Sequence, residues 1–200
     1  MLNPNFVILG VILQSIGGFS YLKDTLKGKV QPNKVSWLLW AIAPLVAFAA
    51  ELSQGVGIQS LTTFIVGFIP LVVLIASFTS KKAEWKLSKL DVICGVFSFL
   101  GIILWFTTKV GNVAILFSII ADGLAAIPTI IKSYYHPESE SHLIYTLGVV
   151  NAGIGLLAIQ SWNFEHWGFP AYLLGVNLIL AVLIGFKIGK SKLLSKLAKE

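Results

Sequence analysis

The stretch "SYLKDTLKGKVQPNKVSW", residues 20–37, places four lysines in a short connection between two long apolar runs. These are Lys23, Lys27, Lys29 and Lys34, and the last three lie close to a Gln-Pro-Asn turn. Lysine beside an apolar run is typical of the cytoplasmic loops of membrane proteins. The connection therefore indicates both a membrane-spanning chain and its orientation.

The composition agrees with a chain that lies almost entirely in a membrane. Of its 200 residues, 56% are hydrophobic and only 12% are charged, whereas about 25% are charged in soluble domains. Seven apolar runs have roughly the 20-residue length that a hydrocarbon core of about 30 Å requires. They predict an all-α membrane protein with seven transmembrane helices, at residues 5–26, 35–52, 57–78, 90–108, 111–132, 141–159 and 168–187.

The distribution of lysine predicts the topology. All fifteen basic residues are lysine, and fourteen of them follow the first, third, fifth or seventh run, which leaves only Lys109 on the other side. By the positive-inside rule the N-terminus is outside and the basic tail is cytoplasmic, as in a multi-pass protein of the cell membrane. Without arginine the chain lacks bidentate phosphate contacts, so we expect no nucleic-acid partner. Cys94 is the single cysteine, and we expect it to be a packing residue.

The opening connection occurs twice. Pro32 and Pro137 are 105 positions apart, and the same offset pairs four further identities: Gly18 with Gly123, Lys27 with Lys132, Ser36 with Ser141, and Leu38 with Leu143. Runs one to three and five to seven both begin outside, so they form parallel repeats joined by run four. The predicted organisation is a first repeat at 1–80, a linker with the fourth helix at 81–110, a second repeat at 111–189, and a basic tail at 190–200.

This three-plus-one-plus-three arrangement, with a Pro turn before a Ser-led second helix, resembles the PQ-loop and SWEET superfamily of small membrane transporters. At the place of the family's Pro-Gln pair the second repeat has Pro128-Thr129 and the first has Lys23-Asp24. The resemblance implies alternating-access transport of a small polar solute, such as a sugar or an amino acid. It also implies that Pro128, at the motif position, is a hinge. We expect no enzymatic activity and no cofactor, because His136, His142 and His166 fall at or outside the boundaries of the apolar runs.

Asp122 is the principal candidate for function because it lies near the middle of the fifth run. An intramembrane carboxyl group costs a few kcal/mol unless it is paired or protonated, and such groups usually mark a transport pathway. Burial disfavours the charged form, so we expect Asp122 to face a central cavity and to bind substrate or couple transport to protons. The alternative is a structural carboxyl group that bonds to a neighbour such as Gln14 or Asn151.

Other polar and aromatic side chains occur at helical spacing and are candidates for the same cavity. Gln14 lies on a polar stripe of the first run, while Asn151 and Asn177 are amides deep in the sixth and seventh runs. Trp40 and Tyr145 are equivalent in the two repeats and can form aromatic walls. For each Asn, an interhelical hydrogen bond is the alternative. Trp40 can equally belong to the interfacial aromatic belt, to which we assign Trp37, Trp162 and Trp167.

Pro44 and Pro70 join Pro128 as candidate hinges, because a proline inside a helix removes a backbone hydrogen bond and allows bending. Proline is also common in membrane helices that do not move. The partners expected are a small-molecule substrate and the lipid bilayer, and a homo-oligomer stays open. The alternative function is a seven-helix receptor or cargo-binding protein without transport, as in KDEL receptors, which share the architecture.

Overall fold

The computed structural model describes residues 5–53, 60–79, 86–108, 111–159 and 164–189, together with Asn3, Ile58 and Trp162. Seven α-helices and one short 3₁₀ turn, Pro137–Ser139, occupy this part of the chain. The helices are α1 Phe6–Leu26, α2 Lys34–Ser53, α3 Ser60–Thr79, α4 Lys89–Thr108, α5 Gly111–Tyr135, α6 His142–Leu157 and α7 Phe164–Gly185. The prediction of an all-α chain with seven helices is confirmed, and no predicted end differs by more than four residues.

Three of the described helices are long and apolar enough to cross a membrane, namely Phe6–Leu26, Leu61–Thr79 and Trp167–Gly185. Bulky apolar side chains also cover much of the surface, among them Phe19, Ile75, Phe97 and Leu178, which are each at least half exposed. A soluble monomer rarely exposes so much apolar surface. Both features are compatible with a membrane protein.

The helices pack in two sets of three. In the first set α3 lies between α1 and α2, and in the second set α7 lies between α5 and α6. The sets meet where α1 packs on α6 and where α2 packs on α5. The remaining helix, α4, packs mainly along α5 and also contacts α2. A core of buried residues, including Tyr21, Trp37, Val73 and Leu180, lies among these helices.

Local sequence explains how the first connection turns. Gly28, just after α1, has a φ of 68°, which glycine adopts without the steric conflict of a side chain. Asn33 then caps α2, because its Oδ1 accepts hydrogen bonds from the N–H groups of Val35 at 3.1 Å and Ser36 at 3.3 Å. A cap of this kind satisfies N–H groups that have no partner within the helix.

Glycine permits close helix packing at the centre of the first set. A Cβ atom at Gly18 would lie 2.7 Å from both Cγ1 and Cγ2 of Ile69 on α3. That separation is well inside van der Waals contact, so this crossing requires glycine. Cys94 is buried on α4, in agreement with its predicted packing role.

Candidate functional site

A cavity lies between the two helix sets and is lined by all six of their helices. It offers about 80 Å³ to the centres of water-sized molecules, enough for several waters or part of a small solute. None of its described lining residues lies on α4. The six predicted binding residues all line it: Gln14 from α1, Trp40 from α2, Asp122 from α5, Tyr145 and Asn151 from α6, and Asn177 from α7.

Asp122 is held at the cavity wall by a residue that the sequence did not single out. Its side chain is buried, and Tyr172 on α7 donates a hydrogen bond from Oη to Oδ2 at 2.7 Å. The Trp40 indole also faces the carboxyl group, although its Nε1 is buried without a hydrogen bond of normal geometry. The partner is thus Tyr172, and not Gln14 or Asn151. Tyr172 occurs near the start of an apolar run, where an interfacial tyrosine gives the same signal.

The three amide side chains of the cavity, Gln14, Asn151 and Asn177, differ in their hydrogen bonding and packing. Gln14 is nine-tenths buried, and its Oε1 accepts no hydrogen bond within the described chain. Asn177 donates from Nδ2 to the carbonyl oxygen of Leu173 at 2.8 Å, which is a bond within α7 and not between helices. Its carbonyl side lies against Gly148, and Asn151 lies against Gly10 in the same way. Each amide therefore occupies space that a side chain at the facing glycine would fill.

Aromatic side chains form the end of the cavity nearest the lysine-rich connections. Trp37 is only 1% exposed, and its ring lies 4.6 Å from that of Tyr21 and 5.8 Å from that of Trp40, between centroids. Assignment of Trp37 to an interfacial belt is therefore wrong. The side chain is buried because Tyr21 of α1 packs against it, which a pattern within α2 alone does not reveal. Trp162 and Trp167 are exposed, as interfacial anchors would be.

The candidate hinges Pro44, Pro70 and Pro128 lie inside α2, α3 and α5. Of these, Pro70 lines the cavity. Pro128 lies one helical turn and a half beyond Asp122 on the same helix. Their movement stays a prediction.

A buried ion pair lies between the cavity and the second connection. Lys132 Nζ contacts Glu140 Oε1, and the two side chains are 1% and 0% exposed. Glu140 Oε2 accepts hydrogen bonds from Tyr21 Oη at 2.6 Å and from Tyr145 Oη at 3.2 Å. Lys132 also donates to the carbonyl oxygen of Gln31. We call these four side chains, Tyr21, Lys132, Glu140 and Tyr145, the inner cluster.

We predicted that Lys132 is one of the lysines of the cytoplasmic connections. That prediction is wrong, because its side chain is buried inside the protein. Tyr21 is fully buried, and it joins the Trp37 wall of the cavity to Glu140. The inner cluster therefore lies between the Trp37 wall of the cavity and the second connection. The two connections also touch directly, since the N–H of Gln31 donates to the carbonyl oxygen of Ser139 at 2.8 Å.

The first connection is also attached to α4. Asn33 donates from Nδ2 to Asp91 Oδ1 at 2.6 Å, and both residues are buried. The other carboxylate oxygen of Asp91 accepts from the backbone of Ser88 and so caps α4. One turn further along α2, Thr129 of α5 donates to the Ser36 hydroxyl at 3.0 Å. Polar contacts thus link this end of the protein across both helix sets.

Among the described residues no three carboxylate, imidazole or thiol groups are close enough together to hold a metal ion. Comparison of the chain with family models, with curated proteins and with solved structures gives no significant match. The described helices and cavity define the class as an all-helical protein compatible with a membrane, with a polar and aromatic cavity between two sets of three helices.

Proposed function

We propose that this chain is a multi-pass membrane transporter that moves a small polar solute by alternating access. The observation that carries the proposal is the cavity, because it lies where the two helix sets meet and collects polar side chains from both. Transporters built from repeats bind substrate at the interface between the repeats, near the bilayer midplane. Asp122 has the corresponding position, near the middle of the 25-residue α5.

The packing of the helices supports two parallel repeats joined by α4, as in the PQ-loop and SWEET superfamily. A twofold relation that exchanges α1 with α5, α2 with α6, and α3 with α7 converts every major contact of the first set into one of the second. It also converts the α1–α6 contact into the α5–α2 contact. In this proposal all seven helices span the membrane, with the N-terminus outside and the connections at 27–33 and 136–141 in the cytoplasm.

In the proposed cycle the described conformation is closed on the cytoplasmic side. The inner cluster and the Gln31–Ser139 backbone bond hold the two connections together. For the solute to leave toward the cytoplasm, these contacts have to separate. Pro70 and Pro128 lie in helices beside the cavity, at positions where bending changes access to it.

The proposal is tested with full-length protein reconstituted into liposomes and assayed for counterflow of labelled sugars, amino acids and amines. Ala152 lines the cavity, whereas a Cβ atom at the next residue, Gly153, would meet no heavy atom within 4 Å. Ala152→Leu should therefore block flux of the solute that moves, while Gly153→Leu should leave it near the wild-type rate. If no solute moves, or if both variants transport equally well, the proposal is wrong. Binding of a solute that is never moved would favour the receptor alternative.

We further propose that Asp122 couples transport to protons. Asp122→Asn keeps the size of the side chain and can still accept a hydrogen bond from Tyr172, but it does not titrate in the working range. This variant should stay folded and should lose the pH dependence of net uptake. A folded, active Asp122→Asn variant with the wild-type pH profile would refute proton coupling without affecting the transport proposal.

A further inference from the structure

We infer that the cavity takes a small organic cation that carries a hydroxyl group, and that this cation and a proton compete for Asp122. The inference rests on the proposed function, and it names the chemical class of the solute. It follows from the charges, the aromatic faces and the unpaired polar atoms of the cavity.

The charge of the cavity is the first observation. Asp122 is the only acidic or basic residue among the described lining residues. The nearest buried cation that the structure describes, Lys132, is already engaged by Glu140 and by the carbonyl oxygen of Gln31. An ionised carboxyl group in such surroundings needs a counter-ion. A cation supplies that charge, whereas an anion would be repelled and a neutral sugar would leave the carboxylate uncompensated.

The aromatic side chains are the second observation. Trp37, Trp40 and Tyr145 line the same cavity as Asp122, and the Trp40 indole faces the carboxyl group. The Trp37 and Trp40 rings meet edge to face, at 71°, so their faces are turned in different directions. Aromatic faces next to a carboxylate attract organic cations, and quaternary ammonium groups in particular, through the ring quadrupole.

The unpaired polar atoms are the third observation. Gln14 Oε1 is a buried acceptor without a hydrogen bond. Nε1 of Trp37 and Nε1 of Trp40 are buried donors that face Tyr21 and Asp122 but make no hydrogen bond of normal geometry. Buried polar atoms are nearly always paired in folded proteins, so unpaired ones at a cavity indicate where a ligand or water binds. A hydroxyl group both donates and accepts, and it can therefore satisfy the Gln14 oxygen and an indole N–H together.

Competition with a proton follows from the single acidic group. A proton and an organic cation are two alternative ways to neutralise a buried carboxyl group, so at Asp122 they exclude each other. Where the carboxyl group holds a proton, binding of the organic cation displaces that proton to the open side, and the carboxylate becomes the counter-ion of the cation. The groups that face Asp122 from the packed helices are the Tyr172 hydroxyl of α7 and the Trp40 indole of α2. The charged residues of α4 that the structure describes, Lys89 and Asp91, are in its first turn.

The test compares three molecules of similar size on full-length protein in nanodiscs, with binding followed by tryptophan fluorescence. The probes are choline, which is a cation, its neutral isostere 3,3-dimethylbutan-1-ol, and glycine betaine, which is a zwitterion. Choline should bind about tenfold or more tightly than either of the other two. In weakly buffered solution it should release protons, as read by a pH-sensitive dye. Equal affinity for choline and the neutral isostere, or no binding of choline, would overturn the inference.

Variants locate the effect. Asp122→Asn should lose the preference for choline over the isostere and should release no proton. Asp24→Asn is the control, because Asp24 lies near the end of α1 and pairs with Lys29. This control should keep both the preference for choline and the proton release. The comparison of probes on the wild-type protein needs no variant, so it stands even if Asp122→Asn does not fold. In liposomes, movement of a sugar but not of choline would refute the inference and keep the transport proposal. Choline that binds with proton release but never moves would support the inference and refute transport.

Discussion

Replacement of Lys132 by methionine tests whether the inner cluster holds the two helix sets together. Methionine keeps the length of the aliphatic stem and removes the ammonium group. Glu140 would then keep its two tyrosine donors and lose its counter-ion, although its side chain is 0% exposed. Lys27 is the matched control, because it lies at the equivalent position of the proposed first repeat and its side chain is exposed.

The expected effect is large because the charge that remains is fully buried. Removing one partner of a buried ion pair typically destabilises a protein by about 3–5 kcal/mol, while substitutions of exposed residues usually stay within about 0.5 kcal/mol. For a chain of this size each kcal/mol lowers the melting temperature by about 2–4 °C. Lys132→Met should therefore melt roughly 6–20 °C below the wild type, and Lys27→Met should melt close to it.

The melting temperature is measured by thermal unfolding in detergent micelles, and the free energy of unfolding by titration with a denaturing detergent, both followed by tryptophan fluorescence. Glu140→Gln and the double variant complete a thermodynamic cycle. Because the double variant leaves no unpaired charge, the two changes should couple by about 1–3 kcal/mol. If Lys132→Met is as stable as Lys27→Met, or if the two changes are additive, the lysine and glutamate do not act as a buried pair.

Three further predictions concern the topology, the first connection and the packing of α1. A cysteine is introduced at the exposed Lys29 in a Cys94→Ala background. It should react with a membrane-impermeant reagent only after the cells are opened, because we expect residue 29 to be cytoplasmic. Labelling in intact cells would show that the predicted orientation is wrong. Asn33→Ala removes the cap of α2 and its bond to α4, so it should lower the free energy of unfolding by about 1–3 kcal/mol, and an unchanged unfolding curve would contradict this. Gly18→Ala overpacks the α1–α3 crossing and should destabilise by about 1–3 kcal/mol, whereas Gly153→Ala, which meets open space, should be neutral or slightly stabilising; equal melting temperatures would contradict the difference.

Helix positions could be predicted because they depend on local pattern. An apolar run bounded by lysine, proline or glycine marks a helix wherever the rest of the chain lies, and so α1 and α4 begin within a residue of their predicted positions. The shared cavity followed from the same periodicity, since polar residues three or four apart occupy one face of a helix. Gln14 and Asp122 lie on such faces of α1 and α5, and both line the cavity.

Contacts between distant segments could not be predicted in this way. Trp37 is buried because Tyr21 of α1 covers it, and nothing within α2 indicates this partner. The pairing of Lys132 with Glu140 depends on the turn at Pro137, which carries the chain back over the end of α5. Tyr172 meets Asp122 across 50 residues of sequence. Tryptophan, lysine and tyrosine are all typical of the membrane interface, so the sequence alone did not distinguish Trp37, Lys132 and Tyr172 from interfacial residues.

The attachment of α4 has a mechanical consequence. Its first turn is fastened to the first connection through Asn33 and Asp91, while its length lies along α5 of the other set. This helix therefore restrains the two helix sets on the side where α2 meets α5. On the opposite side, where α1 meets α6, no helix of the described chain bridges the two sets in this way. If the two sets rock against each other as the transport proposal requires, the α1–α6 side should open more widely than the side that α4 holds, so the proposed exit path should be asymmetric.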